Sequence, residues 1–147
     1  MKKGIFFFIG VLTISFLTTA AVNQGKAKQE APDLVITNVK VDTSNIKKDK
    51  NIKVIYTIKN QGKSAAKESA AAIQLLNKSN KNMGKAIKGN VPALPPNASY
   101  TTTVTYPIKA KGDYVINATA DYNDKIVESN EFNNNNNTVK FSVGFGL

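Results

Sequence analysis

The chain contains no cysteine, histidine, tryptophan or arginine, and each absence removes a class of chemistry. Without cysteine there are no disulfides, no thiol nucleophile and no thiolate metal ligands. Without histidine neither a Ser–His–Asp triad nor an imidazole-bound transition metal can be built. Without arginine the planar fork that grips phosphates and base edges is missing. No glycine-rich phosphate loop is present either. The one obvious carboxylate pair for glycoside chemistry, Glu128 and Glu131, falls in a loop rather than a cleft. The inventory reads as that of a non-enzyme.

What is there in excess is lysine. All 20 basic residues are lysines, set against 10 acidic ones, for a net charge of +10 over 147 residues. Lysine attracts polyanions as a point charge, loosely and in a salt-dependent way. That favours an anionic envelope polysaccharide or wall polymer, or another surface protein, over sequence-specific nucleic acid. The blander reading is a solvated, solubilising surface.

The N-terminus has the layout of a secretory signal peptide. Lys2 and Lys3 precede an almost unbroken apolar run from Ile5 to Leu17, and small residues follow at Thr19-Ala20-Ala21 and Gly25-Lys26-Ala27. Cleavage is expected after Ala21 or Ala27. If kept, Gly4 to Val22 is about 20 residues, just enough for a membrane anchor. Residues 1–27 are thus the expected signal peptide and pro-region, 28–32 a short linker, 33–143 a single domain and 144–147 a tail. About 120 residues can bury a core without covalent staples. With no wall-sorting motif after Val143, the expected product is secreted, free or held non-covalently at the cell wall.

From Asp33 onward short strands alternate with turns. Leu34 to Val41 changes parity between Ile36 and Val39, which marks a bulge near Asn38. In the run from Ile52 to Lys59, Ile52, Val54, Tyr56 and Ile58 alternate with polar neighbours, and Asn60-Gln61-Gly62 closes it as a turn able to take positive φ. A third strand is expected over Ser69–Leu76, with Ile73 and Leu75 inward, despite an Ala-rich run with high helix propensity. A fourth spans Lys85 to Val91, followed by the rigid Pro92-Ala93-Leu94-Pro95-Pro96-Asn97. Tyr100, Thr102, Val104 and Tyr106 mark the fifth; Tyr114, Ile116, Ala118 and Ala120 the sixth; Val139, Phe141 and Val143 the seventh. Seven such strands predict an all-β, two-sheet sandwich of the immunoglobulin or fibronectin-III kind. Tyr114, just after Gly112-Asp113, stands where a tyrosine corner belongs.

Between the last two strands lies an Asn-rich hairpin from Ala120 to Asn134. Its Asn, Asp and Ser side chains can bond their own backbone and order a long loop, with Ile126 and Phe132 as apolar pegs. Asp121, Asn123, Asp124, Glu128 and Glu131 offer hard oxygens that suit Ca²⁺, although the spacing departs from the EF-hand: Lys125, Ile126 and Phe132 fall at its fifth, sixth and twelfth positions. The expectation is a structural loop with no cofactor, an irregular Ca²⁺ site being the alternative.

With Pro32-Asp33-Leu34, Asn60-Gln61-Gly62, Leu94-Pro95-Pro96-Asn97, Gly112-Asp113-Tyr114 and Asn130-Glu131-Phe132-Asn133-Asn134, the chain resembles the CARDB family, the cell-adhesion-related domain found in bacteria. The resemblance covers nearly all of residues 33–143. It implies an extracellular seven-stranded sandwich, usually repeated or attached to larger surface proteins and exoenzymes, with an adhesion role.

On this topology the two ends differ in charge. One end gathers Lys47, Lys48, Lys50, Lys78, Lys81, Lys85, Lys88, Lys109 and Lys111 against Asp42, Asp49 and Asp113, nine against three or +6. The other holds Lys63, Lys67 and Lys125 against Glu68, Asp121, Asp124, Glu128 and Glu131, three against five or −2. The expected function is a secreted, non-catalytic binding or adhesion module whose lysine-rich end engages an anionic polymer. The alternative is a secreted protein inhibitor, for example of proteases, presenting the loops Asn60–Lys67, Val91–Asn97 and Asp121–Asn137, which share the acidic end.

Overall fold

The computed structural model describes residues 30–44, 51–77, 84–135 and 137–144. The apolar leader and Lys47, Lys48, Lys50, Lys78 and Lys81 lie outside these residues. Seven strands are present: β1 (Leu34–Asp42), β2 (Asn51–Asn60), β3 (Ser69–Asn77), β4 (Ile87–Val91), β5 (Ser99–Pro107), β6 (Gly112–Thr119) and β7 (Asn137–Val143). They form two antiparallel sheets, ordered β1-β2-β5 and β4-β3-β6-β7.

Alternation decides which face of each strand is buried. On β2, Ile52, Val54, Tyr56 and Ile58 are wholly buried, while Lys53 is exposed. Burying an aliphatic side chain of this size contributes roughly 1.5–3 kcal/mol. Tyr100, Val104 and Tyr106 of β5 point to the same side. Opposite them stand Ala71, Ile73 and Leu75 of β3, and Tyr114, Ile116 and Ala118 of β6. The register of β1 slips between Ile36 and Asn38. The bulge lets both Ile36 and Val39 join the core, which strict alternation forbids.

The Ala-rich run is strand because it is paired on both sides: Ala72 lies opposite Lys88 of β4 and Thr119 of β6. Tertiary pairing overrides helix propensity there. β4 is shorter than its apolar pattern implies, beginning at Ile87 rather than Lys85. It pairs only with Ser69–Ile73 of β3, because residues 84–86 lean toward β5, where the Tyr106 hydroxyl donates to the Lys85 carbonyl (2.7 Å). Gly89 of β4 sits over Tyr56, and a Cβ at Gly89 would stand 2.5 Å from the Tyr56 hydroxyl oxygen.

Tyr114 stacks on Phe141, its cross-strand partner in β7 (ring centroids 5.6 Å apart). Its hydroxyl donates to the Ala110 carbonyl (2.6 Å), the bond that defines a tyrosine corner. The described chain enters β1 at one end of the sandwich and leaves β7 at the other, since Leu34 pairs with Asn60 whereas Val143 pairs with Gly112.

Candidate interaction site

The loop end is built on one amide. Asn60, at the end of β2, is fully buried, and its side chain uses its whole hydrogen-bonding capacity. Its Oδ1 accepts the N–H groups of Asp33 (3.1 Å) and Gly62 (3.0 Å). Its Nδ2 donates to the carbonyls of Ser64 (2.8 Å) and Leu94 (2.9 Å). One side chain thereby ties the segment before β1 to the β2–β3 and β4–β5 loops. The main chain adds to it: Asn97 N–H donates to the Asn60 carbonyl (2.7 Å), and Ala66 and Leu94 exchange both bonds. Gly62 is required by space and not by a positive φ, because a Cβ there would lie 2.5 Å from backbone atoms of Ala31, Pro32 and Asp33. Among the described residues, the non-glycine positions with positive φ are instead Asn97, Asp121 and Asp124, types that tolerate the left-handed region.

The β6–β7 loop is stitched to the same place by its acids and amides. Asp33 accepts from Asn133 Nδ2 (2.8 Å) and Gln61 Nε2 (3.1 Å). Glu128 Oε2 accepts Leu34 N–H (2.6 Å), and Glu131 Oε1 accepts Glu128 N–H (2.7 Å). Asp121 Oδ2 accepts Ile126 N–H (2.7 Å). The main chain of Asn134 accepts Ala120 N–H (2.9 Å). Burial pushes the Glu128 carboxyl up to about 7, with Glu131, Asp121 and Asp33 adding repulsion and the Leu34 N–H opposing the rise. Burial likewise raises Asp121, against the N–H groups of Ile126 and Lys125.

The five oxygen-bearing residues considered for Ca²⁺ do not converge. Among the described residues no group of three or more carboxylates is placed to hold a metal ion. Asn123 and Asp124 are exposed, while Asp121, Glu128 and Glu131 each turn an oxygen to a backbone amide. The two apolar pegs part company. Ile126 is buried in the core cluster, whereas Phe132 is 95% exposed and is no peg. With Val127 (85%) and Tyr122 (46%), it puts apolar surface on this loop. Beside it a cleft of about 590 Å³ opens between β4 and β5, lined by Ser69, Asn90, Pro92, Tyr100, Asn123 and Lys125.

The lysines divide differently from the sequence count. Lys109 and Lys111 are exposed in the β5–β6 turn, and Lys85 is exposed before β4. Lys88 does not belong with them. β4 pairs with the half of β3 nearest the acidic end, so the Lys88 ammonium sits 4.7 Å from the ring centroid of Tyr122, a residue of the acidic loop. At the basic end the Asp42 carboxyl is held below its ordinary range by hydrogen bonds from Ser44. Glu30 and Asp33 precede β1 and add to the acidic end, which the strand-by-strand count had left out.

The model of the CARDB family matches residues 31–138. The chain belongs to the CARDB family. No curated protein matches the sequence. Among solved structures, this CARDB domain is similar to one from Pyrococcus furiosus determined in complex with di-metal ions, at 24% identity and a TM-score of 0.59, over 77% of this chain and 94% of that one. A solution structure of a CARDB domain from the same organism is similar at 25% identity and a TM-score of 0.56, over 80% and 99%. β-Glucosidase 3B from Thermotoga neapolitana in complex with α-D-glucose shares the fold at 15% identity and a TM-score of 0.54. That match covers 77% of this chain and only 16% of the enzyme, so the likeness is to one part of a much larger chain. Among the described residues no helix is long and apolar enough to cross a membrane.

Proposed function

We propose that this CARDB domain is a non-catalytic adhesion module of the cell exterior that holds an anionic envelope polymer against its lysine-bearing end. The separation of charge along the sandwich carries the reading. Lys85, Lys109 and Lys111 are exposed at one end, and the acids gather in the loops at the other. Fixed positive charge on one end draws a polyanion there and turns the acidic end away. The non-catalytic part rests on the missing histidine and cysteine and on Glu128 and Glu131, whose bonds to backbone amides are structural.

The test is retention on cell-wall material, and on immobilised polyglutamate as a defined probe, at low and high salt. Retention is expected to fall steeply as salt rises. It should also fall when Lys85, Lys109 and Lys111 are changed together to Ser, and hold when Lys88 alone is changed to Ser. Retention indifferent to salt and to the triple change sinks the proposal.

A second reading is favoured by the loop end itself, where three loops are fastened together with Val127 and Phe132 left in water. This is the surface a protein inhibitor presents. Assays of culture-fluid proteases with added protein distinguish the two, because only the inhibitor reading requires loss of protease activity.

A further inference from the structure

Two open sheets leave four edge strands, and a sheet edge is a template for another strand unless it is guarded. Three of the four are guarded. β1 carries the bulge between Ile36 and Asn38, together with Lys40 and Asp42. β4 has only five residues, one of them Lys88. β7 bears Lys140. β5 has none of these devices. It is nine residues long, Ser99–Pro107, without a charge, a glycine or a bulge, and its single proline is the last residue. Its register with β2 runs unbroken from Lys59↔Ser99 to Asn51↔Pro107.

Among the described residues β5 forms a main-chain ladder with β2 alone. Every second residue therefore turns its N–H and C=O to the open side. The chain has a net charge of +10, which sets copies against one another, and β5 brings no lysine of its own to a neighbouring copy. Its outer face is a row of exposed threonines, Thr101, Thr103 and Thr105. The row is already joined to β2 by the Thr57–Thr101 hydroxyl contact (2.8 Å). Threonines opposite threonines are favourable cross-strand neighbours.

We propose that β5 is a self-association edge, at which two copies pair β5 against β5, antiparallel, about a two-fold axis through Thr103. Full overlap of the nine residues puts Thr103 opposite its own copy, Thr101 opposite Thr105 and Tyr100 opposite Tyr106. The result is one continuous sheet of six strands, β1-β2-β5 from each copy. Such an interface is closed and isologous, so it stops at the dimer.

Because the chain has no cysteine, single cysteines map the register directly. Paired residues in an antiparallel ladder lie about 4.5–5.5 Å apart at Cα, within disulfide reach. Thr103→Cys is expected to give a disulfide-linked dimer under mild oxidation. Thr101→Cys alone should not, because its copy lies four residues away along the strand, about 13 Å. The double variant Thr101→Cys/Thr105→Cys should cross-link again.

In sedimentation the unaltered protein should dimerise more tightly as salt screens the lysines, opposite to the salt dependence of polymer binding. Thr103→Lys should weaken the dimer about tenfold or more while leaving the thermal midpoint of the monomer close to that of the parent. A protein that stays monomeric at low and high salt overturns the proposal. So does cross-linking at Thr101 as readily as at Thr103. Either result leaves the polymer-binding reading untouched.

Discussion

Glu128 is a carboxylate folded into a place that favours its neutral form. It is 8% exposed and anchors the β6–β7 loop to Leu34, and its pKa is raised to about 7 from an ordinary 4.5. The folded state therefore holds its proton over a range in which the unfolded chain has lost it. The stabilisation is complete below the unfolded value and is lost as pH rises from about 4.5 to about 7. Glu128→Gln keeps an acceptor for Leu34 N–H and cannot ionise. It should be more stable than the parent at pH 7.5, on the order of 1–3 kcal/mol, with the difference shrinking toward pH 4.5. Thermal melts across that range check both the sign and the window. Asn60 is the opposite case, a neutral side chain with every bond made. Asn60→Ala strands the N–H groups of Asp33 and Gly62 and the Ser64 carbonyl, while the Leu94 carbonyl keeps the Ala66 N–H, and should cost about 2–4 kcal/mol in urea unfolding. Asn60 read from sequence as a turn residue; nothing local announces a hub, because its four partners are drawn from three separate segments of the chain.

Among the elements, β4 shows how packing across the sandwich limits a strand. Gly89 faces Tyr56, whose buried hydroxyl has no hydrogen-bond partner. Gly89→Ala should destabilise the protein by more than about 1 kcal/mol, since the hydroxyl occupies the space the methyl needs. Tyr56→Phe removes that oxygen, leaving the ring carbon 3.8 Å away. The same alanine should then cost markedly less, a coupling that a double-mutant cycle in urea measures. The strands themselves were largely legible, because β2 and β5 alternate cleanly and β1 betrays its bulge by the parity change around Asn38. The pairing was not. That β4 covers only half of β3 follows from the lean of residues 84–86 toward Tyr106, a tertiary contact, and this is what carried Lys88 to the end opposite the one assigned by counting turns. Phe132 failed as a peg for a similar reason. Ile126 fills the core position the loop offers, and Phe132 follows Asn130, whose side chain accepts the Phe132 N–H in a local turn.

On the scale of the whole molecule, family and fold follow from spaced motifs and alternation, and both are independent of what the domain holds. A ligand is written in side-chain positions, and twenty lysines with no arginine give a sign of charge without a shape to recognise. The split into a lysine end and an acid-and-amide end is the coarse message. On the two proposals made above, salt acts in opposite directions within one protein, weakening polymer binding at the lysine end and, by screening the net charge of +10, tightening β5 pairing. The path of the chain adds a mechanical consequence. Because the described chain enters at the loop end and leaves at the far one, a pull between Leu34 and Val143 acts along the strands. The eight paired positions of β1 with β2 and the seven of β6 with β7 are then loaded in shear, all at once. A tether of this kind resists force by sharing it across the ladder, and it yields only when many bonds let go together.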